Sequence, residues 1–209
     1  MRYMDALRRI LDVLLPPRDT ERRVRDAHDT ALHALLSPSA FSLGTHSVVT
    51  LLPYRAPLVQ ACIVEAKYHG NKKAQMMLGN VLAEYLLEES AETALVVIPL
   101  PLGKRRERER GYNQVQVVVQ HALKACGDTC TYDTTLLVRT RETDPQTKLK
   151  KKERLHNMQG AFEVRGQVSD HTSYIVIDDV VTTGATLSAS LEALSLKGAK
   201  YACALALAH

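Results

Sequence analysis

Apolar positions change their spacing near the middle of the chain. In the first half they recur at helical intervals: Met4, Leu7, Leu11, Leu14 and Leu15 do so with Arg8, Arg9 and Asp12 between them. This predicts a short amphipathic helix, stopped by Pro16-Pro17. The same spacing predicts helices over about 20–36, closed by Ser37-Pro38, and over 58–68 and 73–87, with His69-Gly70-Asn71 between the last two. A short β-branched run at 47–52, ended by Pro53, interrupts the helical series.

The second half reads differently. Residues 94–100 (ALVVIPL) form an unbroken apolar run, the pattern of a strand buried on both faces. A basic loop, a helix over about 112–125 and a strand over 132–139 follow. The stretch 140–159 is polar and is expected to be a mobile loop. Residues 173–177 (SYIVI) predict a second buried strand that runs directly into Asp178-Asp179. A helix over 186–196, terminated at Gly198, and a last strand over 201–207 complete the order. Strands alternating with helices predict an α/β fold: a mostly parallel five-stranded sheet flanked by helices, behind a mainly helical N-terminal region. The division expected is 1–46 for the helical part and 47–209 for the α/β domain.

Composition narrows the setting. With 45% hydrophobic and 24% charged residues over 209 positions, the chain can bury a sizeable core. Its apolar runs are far shorter than the ~20 residues of a membrane-spanning helix, and the N-terminus lacks the unbroken apolar centre of a signal peptide. No membrane insertion and a cytoplasmic location are therefore expected. Of Cys62, Cys126, Cys130 and Cys203, only the middle two are close in sequence, so reduced thiols are expected rather than a zinc module. His28 and His33 are read as decorating a helix face. The net charge of +4 conceals two basic clusters: Lys104, Arg105, Arg106, Arg108 and Arg110, then Lys148, Lys150, Lys151, Lys152 and Arg154.

The chemistry concentrates in Y-I-V-I-D-D-V-V-T-T-G-A-T. A buried strand delivers Asp178 and Asp179 to its C-terminal end, where open α/β sheets bind ligands. Val180, Val181, Thr182, Thr183, Gly184, Ala185 and Thr186 then turn into a helix. Gly184 allows close backbone approach, and the helix N-terminus and threonine hydroxyls offer donors to a phosphate monoester. The two carboxylates, one turn away, are acceptors for vicinal hydroxyls or for a hydrated Mg²⁺. Phosphate at one end and a diol at the other describe a 5-phosphoribosyl group.

This segment resembles the phosphoribosyl-diphosphate signature of type I phosphoribosyltransferases, matching it at Asp178, Asp179, Thr182, Thr183, Gly184 and Thr186. Residues 97–114 (VIPLPLGKRRERERGYNQ) are similar to the ComF/GntX competence-associated branch, with its Pro-x-Pro strand end and Arg-Gly-aromatic-Asn-Gln run. Tyr54, Lys67-Tyr68-His69-Gly70, Leu137-x-Arg139, Arg141-x-Thr143, Gln146, Leu149, Arg154, Asn157 and Gly160-Ala161-Phe162 extend the likeness over nearly the whole chain. One departure stands out. Leu14-Leu15-Pro16-Pro17-Arg18 is present, but Asp19-Thr20-Glu21-Arg22 stands where the branch often carries the first cysteine pair of a small zinc module.

The resemblance implies binding of phosphoribosyl diphosphate, with Asp178 and Asp179 on the ribose and assisting Mg²⁺, and residues 180–186 on the 5-phosphate. It also makes the first basic cluster the diphosphate-side loop, with Lys104, Arg105 and Arg110 as candidate contacts. The second cluster is read either as a loop closing over the diphosphate or as a contact for single-stranded DNA. Transfer of phosphoribosyl to a nucleophile is one functional expectation, through a cation-like ribose that needs charge and position more than a dedicated base. A non-catalytic competence-associated protein acting with DNA-uptake partners is the other. The acceptor is not legible, and a homodimer is expected by fold analogy only.

Overall fold

The computed structural model describes residues 16–43, 46–90, 95–141, 158 and 160–209. The expected N-terminal helix and nearly all of the polar stretch 140–159, with its lysine cluster, lie outside them. Among the described residues the order is α1 (Asp19–Asp26), β1 (Ser39–Leu43), β2 (His46–Leu52), α2 (Pro57–Tyr68), α3 (Lys72–Glu89), β3 (Leu95–Pro99), α4 (Lys104–Arg110), α5 (Gln114–Cys126), β4 (Cys130–Tyr132), β5 (Leu137–Arg139), β6 (Phe162–Val164), β7 (Ser173–Val180), α6 (Ala185–Leu196) and β8 (Tyr201–Ala208). The main sheet runs β1-β2-β8-β7-β3-β4. All neighbours are parallel except the β1–β2 pair. β5 and β6 form a separate antiparallel pair.

The two faces of this sheet carry separate cores, as strict alternation along buried strands requires. Ile175, Ile177, Leu205 and Leu207 face α2, α3 and α5, and pack with Cys62, Met77, Leu82 and Val119. Tyr174, Val176, Ala204 and Ala206 face the other way, toward Leu187 and Leu191 of α6 and Phe162 of β6. Asn71 and Asn113 start α3 and α5, each side-chain oxygen accepting two backbone N–H bonds of the first turn. Among the described residues no helix is long and apolar enough to cross a membrane.

Four sequence expectations are corrected. The helix expected over 20–36 ends at Asp26, because Lys73 Nζ donates to the carbonyl oxygens of Arg25 and Ala27 at 3.0 and 2.7 Å and the backbone turns extended. The strand expected over 132–139 divides in two. Asp133 Oδ1 accepts from the Thr135 and Leu136 backbone N–H groups, a turn that ends β4 and starts β5 in another sheet. The basic loop after β3 is the helix α4, closed at Gly111 with φ 74°. The edge strand β1 was not foreseen; its exposed, serine-containing pattern carries little apolar signal.

Residues 16–35 bury Val24 and Leu32 in the core with α2 and are also tied to that helix by a carboxylate. Glu65, fully buried, accepts from Arg18 Nε and Nη2 at 3.1 Å each, Thr20 Oγ1 at 2.7 Å and Asn71 Nδ2 at 3.3 Å. Burial pushes this carboxyl up, but the hydrogen bonds from Arg18, Thr20 and Asn71 and the guanidinium charge outweigh it and hold it below its usual value. A depressed carboxyl contributes stability that is present above its unfolded value and lost as pH falls through its folded one. Glu65→Leu is therefore expected to cost about 1–2 kcal/mol at pH 7, since Arg18 is half exposed and can turn to solvent, and to flatten the acid limb of the stability curve. Urea titrations at pH 7 and pH 3 check this; an unchanged acid limb would refute it.

Candidate functional site

The chain leaves β3 for β4 through α5 on one face, and leaves β7 for β8 through α6 on the other. The C-terminal ends of β3 and β7 therefore flank a topological switch point, where the two connections diverge and open a crevice. Leu100 N–H donates to the Ile177 carbonyl at 2.8 Å, so the two strands stay joined up to its mouth. Leu100, Pro101 and Leu102 line a cavity of about 320 Å³ there, together with Asp178, Asp179, Val180, Thr182 and Thr186.

Alternation along β7 separates the acidic pair. Asp179 continues the Ile175–Ile177 face toward α2 and α5, and is 6% exposed. Its Oδ2 lies 2.7 Å from Lys67 Nζ and accepts from Gln114 Nε2 at 2.7 Å, while Oδ1 accepts from the Val180 N–H at 2.8 Å. Asp179 is thus committed to a charge pair and two hydrogen bonds. Asp178 remains partly exposed in the cavity, its Oδ1 accepting from the Asp179 N–H at 2.8 Å. Low-dielectric surroundings, then the neighbouring Asp179 charge, push the Asp178 carboxyl well above the usual carboxylate range, against a smaller opposing pull from Lys67 and Arg106.

Beyond the pair, the Val181 N–H still bonds the Ala208 carbonyl at 3.1 Å, which keeps Val181 buried on the sheet. Thr182 is exposed and Thr183 half-buried. Gly184 then takes φ 72° and starts α6 without a side-chain cap, unlike the asparagine-capped α3 and α5. A side chain at Gly184 would be strained and would collide with Leu43 of β1. Ala185, buried, forms the first turn with Thr186. The N-terminal amide groups of α6 thus have no side-chain partner in this turn, the arrangement that favours an anion.

The cations reach the cavity from three other elements: Lys67 lies in the last turn of α2, Arg106 and Arg110 lie one turn apart on α4, and Arg139 ends β5. Arg110 Nη1 also donates to Gln114 Oε1 at 2.9 Å, and its guanidinium lies 5.3 Å from the centre of the Tyr68 ring. Arg105 lines an adjoining cavity of about 510 Å³ with Tyr68, Tyr112 and Glu109, and lies 3.7 Å from the Glu109 carboxylate. Of the expected basic contacts, Arg110 lines both cavities and Arg105 one. Lys104 is exposed and lines neither. Lys67, Arg106, Gln114 and Arg139 were not foreseen as site residues. The Arg106–Arg110 spacing, one helical turn, was the available signal for the second of these. Among the described residues no group of three or more His, Cys, Asp or Glu side chains could hold a metal ion.

A switch-point crevice with an acidic strand end and a glycine-started helix defines an α/β protein with a candidate anion-binding site at the C-terminal ends of its parallel strands. No family profile matches the chain. It is 30% identical over 156 residues to the DNA utilization protein YhgH of Escherichia coli O157:H7, covering 73% of this chain and 67% of that one. It is 38% identical over 103 residues to the competence protein ComFC of Bacillus subtilis strain 168, covering 49% of this chain and 39% of ComFC. A hypoxanthine phosphoribosyltransferase from Staphylococcus aureus superposes with a TM-score of 0.40 at 13% identity, covering 64% of this chain and 61% of that one. The chain belongs to the ComF family.

Proposed function

We propose that the crevice binds 5-phosphoribosyl 1-diphosphate with Mg²⁺, and that the protein transfers the phosphoribosyl group to a nucleophile. The observation that carries this reading is the contiguous run from Asp178 to the uncapped start of α6 at Gly184. The 5-phosphate sits on the α6 amide groups and the Thr182, Thr183 and Thr186 hydroxyls, and the ribose diol on Asp178. The diphosphate extends past residues 100–102 toward Arg106, Arg110 and Arg139, where guanidinium groups offer paired donors.

Asp178 is the carboxylate that fits Mg²⁺. Asp179 is occupied by Lys67 and Gln114, and a single protein carboxylate beside substrate phosphates is a common way to hold this ion. Mg²⁺ would neutralise charge developing on the leaving diphosphate. The cations on α4 and β5 orient that group and keep it in line.

Calorimetric titration of the full chain with phosphoribosyl diphosphate and Mg²⁺ tests the reading. Micromolar binding is expected, with weaker binding of ribose 5-phosphate, which keeps the phosphate and the diol but not the diphosphate. A folded protein that binds neither compound overturns it.

A second reading draws on the names of the relatives and on α4, which exposes Lys104, Arg105 and Arg108 on its outer side. In it the protein is competence-associated, and α4 contacts single-stranded DNA. Salt-sensitive DNA binding that disappears when these three side chains are neutralised, without diphosphate release, would favour this reading over transfer.

A further inference from the structure

The side chain of Gln114 joins two parts of the crevice that belong to different elements. Its Oε1 accepts from Arg110 Nη1 of α4 at 2.9 Å, and its Nε2 donates to Asp179 Oδ2 of β7 at 2.7 Å. We infer that Gln114 is the positioning residue of the diphosphate end, holding Arg110 in place for the leaving group by tying it to the Asp179–Lys67 pair. This rests on the reading given under Proposed function and names what sets the geometry of its cations. The partners dictate which way the amide faces. A guanidinium has no acceptor and an ionised carboxylate has no donor, so the reversed amide would forfeit both bonds. Gln114 is 3% exposed, which leaves little water to replace them.

Gln114 is itself fixed by the residue before it. Gln114 is the first residue of α5, and Asn113 Oδ1 accepts from the Val115 and Gln116 N–H groups at 3.0 and 3.4 Å. Asn113 Nδ2 also donates to the Leu100 carbonyl at 3.0 Å, which joins the start of α5 to the chain leaving β3 beside the cavity. The amide therefore stands on the two strand ends that frame the crevice: β3 through Asn113, and β7 through Asp179.

The helix that carries Arg110 is the opposite case. α4 has seven residues, none of them buried, and no side-chain cap at its start. A helix so short is marginal by itself and takes its position from tertiary contacts. Arg105 meets the Glu109 carboxylate at 3.7 Å and Arg108 Nε donates to the Lys104 carbonyl at 3.3 Å, both within α4. Arg110 reaches out of it, to Gln114 and to the Tyr68 ring, and its guanidinium still lines both cavities. A free arginine loses rotamer freedom when it clasps an anion. One already held by Gln114 loses less, so the anchor favours diphosphate by ordering its ligand-binding group beforehand.

Two substitutions in the full chain test the assignment. Gln114→Met keeps the volume and removes both bonds, while Asp179 retains Lys67 as its counter-ion. Gln114→Glu keeps an acceptor for Arg110, with Lys67 and Arg110 then facing two carboxylates. Calorimetry with Mg²⁺ compares three probes: phosphoribosyl diphosphate, inorganic diphosphate and ribose 5-phosphate. Gln114→Met is expected to weaken both diphosphate compounds about tenfold and ribose 5-phosphate less than about twofold. Gln114→Glu should bring phosphoribosyl diphosphate back to within about threefold of the unsubstituted chain. Arg110→Met should weaken the same two compounds, and adding Gln114→Met to it should change nothing further. Equal weakening of all three probes, additive losses in the double variant, or no recovery with Gln114→Glu would each reduce Gln114 to a support of the fold. Any of these overturns this inference and leaves the crevice reading standing. An unsubstituted chain that binds no phosphoribosyl diphosphate overturns the crevice reading, and the positioning role with it.

Discussion

Asp178→Asn is expected to weaken phosphoribosyl diphosphate binding by about 100-fold and, at pH 8, to raise the melting temperature. The first effect follows from geometry. Asp178 is the member of the pair open to the cavity, and losing a charged acceptor for two hydroxyls removes charge-assisted hydrogen bonds of about 1.5–3 kcal/mol each. The second follows from the direction of its shift, raised first by burial and then by Asp179. A carboxyl raised in the folded state contributes stability that is full below its unfolded value and is lost as pH rises through its folded one. At pH 8 that contribution is gone, and a neutral amide is free of the penalty; at pH 4 the two proteins should melt alike. Calorimetry at pH 8 and thermal melts at both pH values check the pair of effects. Unchanged affinity would remove Asp178 from the site, and a lower melting temperature at pH 8 would show that the carboxylate is stabilising there.

The acidic pair and the turn after it were legible because they occupy one uninterrupted stretch of strand, turn and helix start, where each residue type has a local reason. The partition of work within the pair was not read, although the rule for reading it is simple. Ile175, Ile177 and Asp179 share a face by alternation, and Lys67 and Gln114 reach the crevice from the helices packed on that face. Sequence spacing along β7 gives that face, but only the packing of α2 and α5 says that a lysine and a glutamine await there. Lys67, within Lys67-Tyr68-His69-Gly70, and Arg139, within Leu137-x-Arg139, enter the sequence only as points of family likeness, with no role in the site attached. Their convergence is a tertiary fact. β1 was missed for a different reason. An edge strand half in solvent, carrying serines, has weak β-propensity and no apolar run, and is held by its pairing with β2 and by the packing of Phe41 and Leu43. Leu43 nonetheless reaches Gly184, so a strand that propensity hides bears on the phosphate turn.

Lys67→Met should be the most destabilising single change at the crevice, by about 3 kcal/mol, or roughly 10 °C in melting temperature for a chain of this size. Asp179 is 6% exposed, and without Lys67 its Oδ2 keeps only the neutral Gln114 amide. A buried charge that loses its counter-ion costs far more than the intact pair contributes. The opposite change is milder. Asp179→Asn leaves a neutral group that still accepts from Gln114, and Lys67, with 22% of its side chain exposed, can turn toward solvent. The double variant Lys67→Met, Asp179→Asn is therefore expected to be more stable than Lys67→Met alone, with a coupling of about 2 kcal/mol in the four-member cycle. Urea denaturation of the four proteins measures it. Simple additivity would mean that Lys67 acts on the fold through its aliphatic stem rather than through Asp179. Coupling of the expected sign would make Asp179 the anchor of Lys67. That lysine lines both cavities of the site, so the buried aspartate would act on ligands through the position of the lysine and Asp178 alone would touch the ribose.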